Sequence, residues 1–147
     1  MRTGIFFSRD HGTIAKAIDL DALAAGVHGV EATSVVDSFL DERSQQTLLK
    51  VVADRHLDAV VLAGDSLETI QKSPEGARLL EALYAKGVNP TRVAGANLKE
   101  HVALPFGKRP AIAARNARLL LEAAVLQATT APAVPIVSLT PKRSVLV

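Results

Sequence analysis

Ala59 to Ala63 is an unbroken apolar run, with β-branched Val60 and Val61 inside it, set between Asp58 and the triplet Gly64-Asp65-Ser66. With no polar residue on alternate positions, such a run predicts a strand buried on both faces, as in a parallel sheet. The rest of the chain alternates between strand and helix periods around it. Residues 4–8 predict a first strand, ended by the polar turn Arg9-Asp10-His11-Gly12. Residues 13–18 fit one helical turn, and Asp19 is placed to cap a helix carrying Leu20, Leu23 and Val27, with Gly26 or Gly29 available to end it. Residues 30–36 have the β-branched content of a second strand, and residues 37–43 form a polar connection in which Asp41 or Ser44 caps the next helix. That helix runs to about His56, with Leu48, Leu49, Val52 and Leu57 at helical spacing and Gln45, Gln46, Lys50 and Asp54 left for water.

After the third strand, Ser66 and Ser73-Pro74 offer two successive helix starts, the second with proline at its favoured first position. Ala77, Leu80, Leu83 and Tyr84 predict the buried stripe there, and Gly87 ends the helix. Residues 92–98 read as a short fourth strand of small side chains, and residues 99–107 as an irregular loop. Lys108-Arg109-Pro110 then opens the longest helical pattern, to about Ala128. Ile112, Leu119, Leu120, Ala123 and Leu126 are expected inward and Arg115, Arg118 and Glu122 outward, the last two at i,i+4 spacing. The alternation predicts a three-layer α/β sandwich, Rossmann-like or flavodoxin-like, with a mainly parallel four-stranded sheet in the order 2-1-3-4. The prolines of residues 129–135 make a linker, residues 136–140 offer an edge segment, and Ser144-Val-Leu-Val147 looks like the beginning of another buried strand. That last feature predicts a following domain, with the chain cut from a longer protein.

Composition narrows the chemistry. A chain of 147 residues, 48% hydrophobic and only 3% aromatic, fits one domain with an aliphatic core. No window reaches the roughly 18 to 20 apolar residues of a membrane span, and the N-terminus is charged too early for a signal peptide, so the cytoplasm is the expected location. The absence of cysteine excludes disulfides, thiolate catalysis and cysteine-ligated metal or iron-sulfur sites in this chain. Residues 1–98 hold 10 basic and 13 acidic side chains, a net −3, and residues 99–147 hold 7 and 2, a net +5. The cations of the second part come singly or in pairs, without interleaved aromatics, so nucleic acid is not an expected partner.

Four loops should meet at the carboxyl edge of the sheet: residues 8–12, 37–43, 64–66 and 97–101. They carry Ser8, Asp10, His11, Gly12, Gly64, Asp65, Ser66, Asn97 and His101. A histidine beside carboxylates can serve as general acid or base, and a Ser-His-Asp grouping can be drawn from this set. The spacing supports neither a metal site nor a nucleophile elbow, since His-x-x-x-His, Glu-x-x-His and Gly-x-Ser-x-Gly are all absent. The Gly12 turn offers a place for one small anion, against which Asp10 and Asp65 would act. His28 and His56 fall near helix or loop ends, away from this edge.

Three stretches, Gly87-Val-Asn-Pro90, Ala96-Asn97-Leu98-Lys99-Glu100 and Pro141-Lys-Arg-Ser-Val-Leu-Val147, carry a family likeness. They resemble the N-terminal domain of the flavin-bearing component of heterodisulfide reductase and of related flavin and iron-sulfur electron-transfer proteins. The resemblance covers nearly the whole chain. It implies that the tail leads into the glycine-rich turn of an FAD-binding domain. The cysteines of that pattern are missing: Ser8-Arg-Asp-His-Gly12 stands where the family has Cys-x-Cys-Gly, residues 37–43 hold no cysteine, and Gly64 and Val102 stand at two further cysteine positions. Without thiolates no cluster is expected here.

What the resemblance implies is a division into residues 1–128, an α/β domain, and residues 129–147, a Pro-rich linker and the start of an FAD-binding domain. The expected role is docking or structural, within a larger FAD-dependent, iron-sulfur-linked electron-transfer oxidoreductase. This domain would be non-catalytic and hold no cofactor. FAD and iron-sulfur clusters would lie in the parent protein or its partners, which are the following FAD domain and electron-transfer subunits. A homo-oligomer is left open. The alternative is a small-molecule or anion-binding module using the same carboxyl edge, and an independent hydrolase is a remote third.

Overall fold

The computed structural model describes residues 1–137 and 139–141. Strand β1 (Thr3–Ser8) is followed by helix α1 (Leu20–Ala25), β2 (Ala32–Val36), α2 (Glu42–Arg55), β3 (Ala59–Gly64), α3 (Leu67–Lys72), α4 (Pro74–Ala85) and β4 (Val93–Asn97). A short segment α5 (Leu104–Phe106) and the long helix α6 (Pro110–Thr130) complete the order. The sheet has the order β2-β1-β3-β4, and every pairing is parallel. The architecture is the α/β sandwich expected from the alternation.

All six residues of β1 and all six of β3 are buried, because helices cover both faces of the sheet. One core layer joins Ile5, Phe7, Val61, Ala94 and Ala96 to α1 and α6; the other joins Phe6, Val60, Leu62 and Val93 to α2 and α4. Helix starts follow the sequence closely. Asp19 accepts from the Ala22 N–H, Asp41 from Ser44, Ser66 from Thr69 and Ser73 from Gly76, each satisfying a first-turn donor that has no intrahelical partner.

Several expectations change. Strand β2 begins at Ala32 rather than residue 30. In α4 the fully buried stripe is Gly76, Leu79, Leu80 and Leu83, with Ala77 and Tyr84 half-buried. Residues 99–107 are not an irregular loop. Lys99–Ala103 forms a π-helical turn that runs into α5, because Val102 and Ala103 bury themselves in the α6-side core and pull the chain into helical form.

The fourth change concerns the face of α6. Ala113, Ala117, Leu121, Ala124 and Ala128 point inward, while Ile112, Leu119 and Leu126 are 39%, 54% and 63% exposed, Ala123 is exposed and Leu120 half-buried. The small side chains win the inward position because they let the helix settle close onto a sheet whose own β4 residues are alanines. Arg118 makes no ion pair with Glu122 among the described residues; its guanidinium lies by Gly26, at the end of α1. Past α6 the chain is tethered by Thr91 Oγ1, which donates to the Pro132 carbonyl, and by Asn89 Nδ2, which donates to that of Val134, each over 2.8 Å. The described part of residues 136–140 forms no strand, and the strand start expected at residues 144–147 lies outside the described residues.

The inward alanines make a prediction. Ala117→Leu should overpack the α6–sheet contact and lower stability by about 1–3 kcal/mol, whereas Ala114→Leu, on an exposed position, should stay within about 0.5 kcal/mol, both read by urea denaturation. Equal losses at the two positions would mean that a different face of α6 meets the sheet.

Candidate functional site

The strands end almost level at the carboxyl edge, where Ser8 pairs with Val36 and Gly64 with Asn97. Asp10 lies two residues beyond β1, Asp65 one beyond β3, and Lys99 two beyond β4. Parallel register therefore carries the three to one spot. Lys99 Nζ is 2.8 Å from Asp10 Oδ2 and 3.3 Å from Asp65 Oδ1. The carboxylates are only 14% and 10% exposed and the lysine 32%, so the cluster is largely withdrawn from water. The hydrogen bond that Lys99 donates to Asp10 is the largest influence on it and holds its ammonium above the usual lysine range; burial opposes this, and the Asp65 charge adds to it.

The loop after β1 is strained. Asp10, His11 and Gly12 have φ of +48°, +50° and +101°, and only the glycine adopts such values without steric cost. Hydrogen bonds hold the loop there: Asp10 N–H donates to Ser8 Oγ at 3.0 Å and His11 N–H to the Asp37 carbonyl at 3.2 Å. Gly12 and Ile14 N–H both donate to the Arg9 carbonyl, Thr13 N–H donates to that of Asp10, and Arg9 N–H to that of Val36. Every N–H from Arg9 to Ile14 is thus committed inside the protein. A phosphate or other anion would find none of the converging free donors it needs.

The remaining residues singled out from the sequence fall into separate places. Ser8 is fully buried and accepts from Asp10. Ser66 caps α3, accepting from Thr69 N–H at 3.1 Å. Asn97 Oδ1 accepts from Glu100 N–H at 3.0 Å while its Nδ2 donates to Glu100 Oε2 at 2.9 Å, which starts the turn that carries Lys99. His11 and His101 are exposed, and neither hydrogen-bonds to a serine among the described residues, so no Ser-His-Asp relay forms. His11 sits instead near Asp41, whose carboxyl is held below its ordinary range mainly by the Ser44 N–H, with a smaller pull from His11.

Gly64 is confined. A Cβ built there would stand 2.8 Å from Ser8 Cβ and 3.0 Å from the Phe39 ring. Val102, the other position matched to a family cysteine, is fully buried in the core. The residues present therefore do not fit an iron-sulfur cluster, in the space at Gly64 as well as in the donor set. An open cavity of about 520 Å³ lies elsewhere, between α1 and α6, lined by Leu23, Val27, Leu121, Val125 and Leu126 with Arg118 at its side.

Lys99 was absent from the residues the sequence singled out as a rim. The signal for it was its position, a lone cation just past a strand end, matching the carboxylates just past two others.

Lys99→Met leaves Asp10 and Asp65 facing each other without a cation and should lower stability by about 1–2 kcal/mol at neutral pH, with Asp65→Asn added to it restoring part of the loss. Because the Lys99 value is raised on folding, its contribution is complete below the ordinary lysine value of 10.5 and is lost as pH climbs through the folded value, so from neutral pH upward the wild-type advantage over Lys99→Met should hold until strong alkali removes it. An unchanged denaturation midpoint for Lys99→Met would rule out the staple. Gly64→Ala should cost about 1–3 kcal/mol in the same assay, because Ser8 and Phe39 leave no room for a methyl group.

No protein-family model and no curated protein matches this chain.

Proposed function

We propose that this chain is a non-catalytic docking domain whose carboxyl edge has been closed by ion pairing. The observation that supports this most is Lys99 standing between Asp10 and Asp65. A catalytic carboxylate needs an open approach and a proton to exchange, and both of these are paired to a partly exposed ammonium with little of their own surface left open. The hydrogen-bonded loop after β1 offers no free donors, and Gly64 leaves no space for a side chain that could reach a ligand. Exposed Asp37, His11, Glu100 and His101 around this edge have the polar character of an interface rim.

The resemblance to the N-terminal domain of the flavin-bearing component of heterodisulfide reductase supplies the partner in this reading. That partner is the FAD-binding domain of a larger electron-transfer oxidoreductase, or a protein carrying its iron-sulfur clusters. Redox chemistry would belong to those parts, and this domain would position them. Among the described residues no helix is long and apolar enough to cross a membrane. The anion-binding alternative lacks a cradle in residues 9–14.

Two measurements test the reading. The reading frame past Val147 should encode a glycine-rich FAD turn directly after the tail, and a stop codon or an unrelated sequence there would overturn the assignment to such an oxidoreductase. After anaerobic incubation with iron and sulfide, the purified domain should show no cluster absorbance in the visible range. A stable iron-sulfur spectrum would contradict the closed edge.

A further inference from the structure

Helix α6 carries two apolar stripes, and only one of them is used. At about 100° per residue, the buried set Ala113, Ala117, Leu121, Ala124 and Ala128 centres about 160° around the helix from Leu119. Ile112, Leu119 and Leu126 lie on the opposite side, seven residues apart, all exposed. Two helical turns separate neighbours, with a drift of only ~20° per step, so they form one straight outer seam about 21 Å long. Large aliphatic side chains aligned on a solvent face are a recognition feature rather than scatter.

We infer that this seam pairs with the same seam of a second copy of the chain, the two α6 helices antiparallel about a two-fold axis at Leu119. The charges beside the seam select this occupant. Arg115 and Glu122 lie on the same flank of Leu119, four residues before it and three after, and neither has an ion-pair partner among the described residues. In the antiparallel arrangement Arg115 of one copy comes within about 1.5 Å, along the axis, of the level of Glu122 of the other, and the symmetry makes that pair twice. A parallel two-fold pair would put this flank of the two helices on opposite sides of the seam, so that Arg115 and Glu122 would face Asn116 and Ala123 of the other copy and stay unpaired. Ile112 meets Leu126 of the other copy at both ends, and Leu119 meets itself. On the other flank stand only Asn116 and Ala123, small enough for the axes to approach to the 8–10 Å usual for packed helices.

One helix pair is a small contact beside the roughly 1,200–2,000 Å² of a standard stable interface, so the dimer is concentration-dependent. The surface lies on the outer side of the α1–α6 layer, where Leu126 and Glu122 also border the open cavity beside α1, and not on the Asp10–Lys99–Asp65 edge. The inference is therefore independent of the docking role proposed for that edge.

Sedimentation equilibrium of the chain over a wide concentration range should give a monomer–dimer equilibrium. Leu119→Glu should abolish it with an unchanged circular dichroism spectrum, since Leu119 is exposed in the monomer. Arg115→Glu should weaken association about tenfold, and Arg115→Glu with Glu122→Arg should restore it. The cysteine-free sequence permits a check on geometry. With a short bismaleimide, Leu119→Cys should link to itself, and a mixture of Ile112→Cys and Leu126→Cys should link while each alone does not. A chain monomeric at every concentration, a dimer indifferent to Leu119→Glu, or self-linking by Ile112→Cys would each overturn the inference.

Discussion

Strand β3 has no side in contact with water, and much of the architecture follows from that constraint. A polar side chain within Ala59–Gly64 would be buried without a guaranteed partner, so the strand is apolar throughout. Its faces must both be covered, so helices take both sides and the connections become right-handed crossovers. Polarity is displaced to the strand ends, and the carboxyl ends are where the connecting loops bring charged groups together. The position of the charged cluster is thus selected by the burial of its central strand.

That edge gathers carboxylates as a side effect of topology. Asp10 and Asp65 stand beyond neighbouring strands, and bringing them together out of water is unfavourable unless a cation joins them. Lys99 supplies it from beyond the third strand in line, held in place by the turn that Asn97 and Glu100 start. The same contact steadies a loop with three consecutive residues at positive φ. The ion pairs therefore tie β1, β3 and β4 at their ends, and they occupy the groups that catalysis would need. Closure of the edge and the proposed docking role are two aspects of one arrangement.

The features visible from sequence were those governed by short-range chemistry. The strands were marked by apolar runs, and Asp19, Asp41, Ser66 and Ser73 announced their helices because a cap acts within one turn. What escaped notice depends on distance or on volume. Lys99 gains its role only when register places it over Asp10 and Asp65, at sequence separations that no local pattern encodes. The turn at residues 99–103 carried a sign in the Asn97…Glu100 spacing, but with the small-residue strand before it, residues 99–107 read as an irregular loop. On α6 the larger aliphatic residues drew the inward assignment, whereas the sheet beneath accepts alanines, and hydrophobicity alone does not distinguish a face that packs closely from one left for a neighbour.

Amide hydrogen exchange on the native protein and on Lys99→Met tests the closed edge most directly. If Lys99 is the staple, its removal accelerates exchange in residues 9–14 and 97–103 together, and by a larger factor than in β3. Unchanged exchange in both loops, or acceleration no greater than in β3, would contradict the account.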